Sequence, residues 1–162
     1  MYTRVILLLV TLITFSISIC GAVMTRGTTE QLTEEASTIV IADVVAAEPE
    51  WACGGTTIFT YVRLHVTDWL KGSGFPEITV RVEGGEVDGI GLWVEDEPVF
   101  REGEEVVVFL KPSEESGVME VKGLYQGKFS VEDGKVIETG LPLNDFAQKI
   151  KRITAKLEME EK

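Results

Sequence analysis

The reading of the fold starts at Thr56–Gly72, TTIFTYVRLHVTDWLKG. Ile58, Val62, Leu64 and Val66 alternate with Tyr61, Arg63, His65 and Thr67, the period of a strand with one face in a core and one in water. Trp69, Leu70, Lys71 and Gly72 close the alternation. It is the longest clean alternation in the chain, so neighbouring strands are expected to register against it.

Upstream, Thr38–Ala47 (TIVIADVVAA) is apolar on both faces except at Asp43 and rich in β-branched residues, as in a strand covered on both sides. Pro49 and the run Trp51-Ala52-Cys53-Gly54-Gly55 read as a turn or loop. Thr28-Thr29-Glu30-Gln31 has the spacing of a capping box and predicts a short helix that places Leu32 and Ala36 against the sheet.

Downstream, Pro76–Glu83 (PEITVRVE) turns Ile78, Val80 and Val82 inward. Gly84–Pro98 (GGEVDGIGLWVEDEP) reads as a loop longer than an ordinary connection, and long ordered loops commonly carry function. Glu104–Lys111 (EEVVVFLK) has five consecutive apolar residues and is expected to be a central strand buried on both faces. Val118–Tyr125 and Lys128–Glu132 continue the sheet, with bends at Gly123 and Gly127. Asp133-Gly134, set between Val131 and Val136, is a strong hairpin signal. In the final segment Phe146, Ile150, Ile153 and Leu157 share one helical face, with Asn144 or Asp145 as the cap.

At 162 residues the chain has room for one domain of ordinary size plus a targeting segment. Residues 1–24 carry Arg4 ahead of an apolar run from Val5. That is the form of a secretory signal peptide, and the run is also long enough for an uncleaved membrane anchor. Either reading places residues 28–162, a single domain, outside the cytoplasm: secreted, or anchored to the cytoplasmic membrane through residues 5–24. Lipid attachment at Cys20 needs a small residue before it, and Ile19 stands there. With 27 acidic against 15 basic residues the formal charge is −12. Such a surface repels phosphate, so nucleic acid is not an expected partner. Cys20 and Cys53 are the only cysteines, and with one of them in the targeting segment they make no disulfide framework; Cys53 is free or paired between chains.

Strands with glycine-marked turns, a short helix before them and an amphipathic helix after them predict a mostly β fold. The expected form is a small antiparallel barrel, preceded by the N-terminal apolar helix. The phrases STIVIADVV, YVRLHVTDWLKG, ITVRV, EEVVVFLK and GLYQGKFSV, spread over Ser37–Val131, resemble the netrin-type module of the tissue inhibitors of metalloproteinases. That resemblance implies an oligosaccharide/oligonucleotide-binding (OB) barrel. Those inhibitors reach the catalytic metal of their targets through an N-terminal cysteine held in a disulfide. This chain has an apolar segment there, so that mechanism is not implied.

Three functional classes follow. The first is a non-enzymatic binding domain whose partner is another envelope or extracellular protein, without cofactor, catalytic residue or metal. Its surface is expected around Trp51, Trp93, Glu86, Asp88, Glu95 and Asp96, in Gly84–Pro98 and Trp51–Gly55, because a long loop beside a rigid scaffold offers aromatic anchors. The second is a hydrolase. It would depend either on Cys53 with His65, a pair that needs contact and an orienting third group, or on two carboxylates. The third is a surface-assembly component pairing through a sheet edge. Glu83, Glu86, Asp88, Glu95, Asp96 and Glu97 could offer oxygen to calcium, but their spacing lacks the regular alternation of an EF-hand loop and fits a solvated acidic loop better. Tryptophans can instead plug the ends of a small barrel; an exposed Trp93 would favour binding.

Overall fold

The computed structural model describes residues 27–52 and 54–160. The N-terminal apolar segment and Cys53, including any Cys53–His65 pair, lie outside the described residues. The described residues are mostly β: a short helix α1 (Thr29–Glu35), nine strands, a single 3-10 turn at Leu124–Gly127 and a C-terminal helix α2 (Leu143–Glu160). The strands are β1 (Thr38–Trp51), β2 (Ile58–Lys71), β3 (Glu77–Glu83), β4 (Gly85–Val87), β5 (Ile90–Leu92), β6 (Glu105–Pro112), β7 (Val118–Val121), β8 (Lys128–Glu132) and β9 (Lys135–Val136). Seven of them form one sheet in the order β1-β2-β3-β7-β6-β8-β9, and β1 pairs also with β6. With β8 and β9 branching from β6, this is not a clean barrel. Its ladders are antiparallel except between β3 and β7.

Two 14-residue strands form the backbone of the sheet. The ladder between them has three irregularities: Leu70 and Thr67 are extra residues on β2, and Val45 is extra on β1. A bulge inverts the in–out parity of the strand beyond it. Val62, Leu64 and Val66 therefore face one core together with Trp69, while Leu70 faces the other. The Thr67 hydroxyl donates to the Ile41 carbonyl at 3.1 Å beside one of these irregularities. Trp69–Lys71 is consequently part of the strand, where the alternation alone predicts a stop. Pro49 and Trp51 likewise belong to β1, opposite Thr60 and Ile58, so the turn is confined to the residues after them.

The apolar runs in β1 and β6 are explained by two cores. Val40, Ala42, Val106, Val108 and Leu110 close the inner one with Val80 and Phe100. Ile39, Ile41, Val107 and Phe109 face the outer one, which α1, β8, β9 and α2 cover. Phe129 stacks tilted between Phe109, at 5.5 Å, and Phe146, at 5.0 Å, a pairing geometry favourable beyond the area it buries. α1 starts with the expected reciprocal cap: Thr28 Oγ1 accepts from the Gln31 N–H and the Thr28 N–H donates to Gln31 Oε1. α2 begins two or three residues earlier than Asn144 or Asp145 as a cap would allow; the carbonyl of Pro142 accepts from the Asp145 and Phe146 N–H groups, and Asp145 lies in the first turn. Phe146 and Ile150 are fully buried on the predicted face; Ile153 and Leu157 are half-buried, and Ala147 and Thr154 are buried with them.

Candidate functional site

The segment Gly84–Pro98, expected as a loop, contains the β4–β5 hairpin, a separate two-stranded sheet. Its turn is Asp88-Gly89, both in the left-handed region at φ 52° and 77°, the conformation of a type I′ turn. Asp133-Gly134 repeats it at φ 50° and 71° in the β8–β9 hairpin. The signal for the first hairpin was therefore present in the sequence, as Asp-Gly between Val87 and Ile90. Four glycines and many carboxylates around it favoured a loop reading.

The hairpin is seated on the sheet by two glycines. The Gly84 N–H donates to the Ile58 carbonyl at 2.8 Å, and the Thr60 hydroxyl donates to the Gly84 carbonyl at 2.7 Å. At Gly85, with φ 134°, a Cβ would stand 2.5 Å from Thr60 Oγ1 and 2.8 Å from Pro49 Cβ. Only a residue without a side chain lets the hairpin lie this close to β1 and β2. Trp51 sits opposite Ile58 on the same stretch of ladder. The fold thus brings Gly84–Pro98 and the β1–β2 turn to one end of the sheet.

The three tryptophans differ sharply. Trp69 is half-buried against the inner core, as expected of a plug. Trp51 is 37% exposed and Trp93 is 85% exposed, with Ile90 and Val99 also open to solvent beside it in sequence. Glu86, Asp88, Glu95 and Asp96 are all exposed. Asp88 serves the turn, and Asp96, at φ 67°, accepts the Tyr125 N–H through its carbonyl at 2.9 Å. Among the described residues no three His, Cys, Asp or Glu side chains gather into a set that could hold a metal. His65 points outward from β2, opposite Asp43 and Glu77, and is exposed.

Below the hairpin lies a cavity of about 160 Å³, lined mainly by apolar side chains that include Val82, Leu92, Trp93, Val94 and Phe100, with Glu83 and Glu97 also in its wall. Glu97 is half-buried. Burial pushes its carboxyl above the ordinary value, and the charge of Glu83 adds to this, against a hydrogen bond from the Glu83 backbone N–H. Among the described residues neither Glu83 nor Glu97 has a salt-bridge partner. The nearby cations make their ion pairs elsewhere, although the charge of Lys111 still acts to lower the Glu97 carboxyl. Arg81 stacks on Phe59 at 4.6 Å and reaches Glu120 at 2.6 Å and Glu115 at 3.4 Å; Lys111 reaches Glu120 at 3.2 Å.

No protein family profile and no curated protein sequence matches the chain.

Proposed function

We propose that this chain is a non-enzymatic protein-binding domain of the extracytoplasmic space, built on an OB-like barrel of the netrin type and secreted or held at the cytoplasmic membrane by residues 5–24. The barrel reading is supported by a circuit of pairings, β1-β2-β3-β7-β6 and back to β1, with β3 and β7 parallel. The recognition surface is the end of the sheet that carries the β4–β5 hairpin and Trp51.

The observation behind the binding reading is Trp93, 85% exposed next to a hairpin fixed by backbone hydrogen bonds. A tryptophan offers about 150–250 Å² of apolar surface, and leaving it in water sacrifices a few kcal/mol of available burial. Placed on a positioned segment that also carries the exposed Glu86, Asp88, Glu95 and Asp96, it has the composition of an interface anchor with a charged rim. Charge complementarity sets the partner's chemistry: an apolar recess bordered by lysine and arginine.

Photo-crosslinking tests this. A benzoylphenylalanine placed at position 93 of the full-length chain in its native envelope should give one defined protein adduct. The same group at Phe75, which is 84% exposed in a different loop, should not. Equal adduct patterns at the two positions, or no protein adduct at 93, would overturn the proposal.

A further inference from the structure

The cavity beneath the hairpin specifies what the partner inserts. Its volume, about 160 Å³, is close to the roughly 150 Å³ of an apolar protein cavity known to take up benzene. Val82, Leu92, Val94 and Phe100 give it an apolar lining, and Trp93 forms part of the wall while remaining open to solvent. That volume matches a single side chain.

Its polar part is also selective. Glu83 and Glu97 both face the cavity, and Thr57 donates to Glu83 at 3.1 Å. Two carboxylates of like charge placed together disfavour ionisation, and a cation between them reverses that cost. Every charged group that faces Glu97 from the elements packed around it is accounted for: Glu83 and Arg81 on β3, Glu120 on β7 and Lys111 on β6. Arg81 and Lys111 are both bonded to Glu120. Lys111 acts on Glu97 only through its charge, and neither Glu83 nor Glu97 has a salt-bridge partner among the described residues, so a cation supplied by a partner would be the first to pair with them.

Resting on the protein-binding reading above, we infer that the cavity receives one leucine- or phenyl-sized side chain of the partner together with an adjacent lysine or arginine, whose charge is met by Glu83 and Glu97. The hairpin thereby reads a two-part signature, an apolar group joined to a cation. Trp93 covers the apolar part from the solvent side.

Small probes separate the two parts. Phenethylammonium carries ring and cation, phenylacetate carries the same ring with the opposite charge, and butylammonium carries a cation without a ring. The full-length chain labelled with 5-fluorotryptophan gives a resonance for each tryptophan, assignable by Trp→Phe variants. Phenethylammonium should shift the Trp93 resonance saturably and leave Trp69 in place, while the other two probes bind at least about fivefold more weakly. Glu97→Gln should weaken phenethylammonium about two- to fivefold, the effect of one partly exposed ion pair, and Glu132→Gln, at an exposed position of β8 outside the proposed surface, should leave it unchanged. If Glu97→Gln perturbs folding, Glu83→Gln carries the same expectation. Equal binding of phenethylammonium and phenylacetate, or no shift at Trp93, overturns this inference. A crosslinked partner at position 93 would survive that outcome, so the two failures are distinguishable.

Discussion

Two glutamates in this molecule were given opposite surroundings. Glu104 lies against Lys128 at 2.6 Å and accepts from Ser130 at 2.6 Å, with the two charged side chains only 15% and 9% exposed. Burial opposes its charge, yet the Lys128 and Ser130 hydrogen bonds hold its carboxyl below the ordinary value. Glu97 is half-buried beside another carboxylate, and although the charge of Lys111 acts on it, it has no salt-bridge partner among the described residues. A buried charge with its partners satisfied is part of the scaffold. A half-buried one without an ion pair, in the same cavity wall as the exposed Trp93, is where the proposed recognition would add one.

Removing the satisfied pair should have the largest effect. Lys128→Met strands the Glu104 carboxylate and is expected to cost about 2–4 kcal/mol in denaturant unfolding. The pH profile carries the sign. Because the folded carboxyl of Glu104 sits below its ordinary value of 4.5, its stabilisation is present above pH 4.5 and is lost as pH falls toward its folded value. Lys128→Met should flatten that acid limb.

Next is Gly85→Ala, which sets a Cβ against Thr60 and Pro49 in a left-handed backbone. The expected loss is about 1–3 kcal/mol. Hydrogen exchange should show it concentrated in residues 84–98, with β1 and β6 little changed; uniform acceleration across the sheet would mean that the hairpin is integral to the core.

Glu97→Gln is expected to act in the opposite sense to Lys128→Met. The folded carboxyl is raised above 4.5, so wild-type stability declines as pH rises from there through the folded value, whereas the glutamine variant escapes the decline. At neutral pH the variant should be more stable, by a few tenths of a kcal/mol after solvent screening. Equal acid limbs in the two proteins would show that Glu97 is adequately paired. Smallest of all is the stability effect of Trp93→Ala, within about 0.5 kcal/mol, as for a surface residue with few contacts.

The comparison also marks how far the residues alone disclose the molecule. Alternation in Ile58–Val66 and unbroken apolarity in Val106–Leu110 are burial patterns, and burial is what periodicity encodes, so one-faced and two-faced strands were legible. The parity change at Thr67, which sends Trp69 and Leu70 to different cores, was not. It is a property of the ladder, set by which β1 residue each β2 residue meets. The hairpin was signalled by Asp88-Gly89 but obscured by surrounding glycines. At the candidate site, Trp51 and Trp93 could be chosen from composition and loop length, and the fold brings their segments to one end of the sheet. Glu97 could be seen as one carboxylate among six. What separates it from Glu86 or Glu95 is a three-dimensional fact: Glu83 beside it, and Arg81 and Lys111 turned toward Glu120.

The most direct test of the central claim, that the hairpin end serves recognition rather than stability, is the affinity of the purified crosslinked partner for wild-type and Trp93→Ala protein, measured with the unfolding midpoint of each. The predicted result is a loss of about 30-fold or more in affinity, the effect of a hot-spot residue, with the midpoint unchanged. Unchanged affinity, or a loss that merely follows a fall in stability, would contradict it.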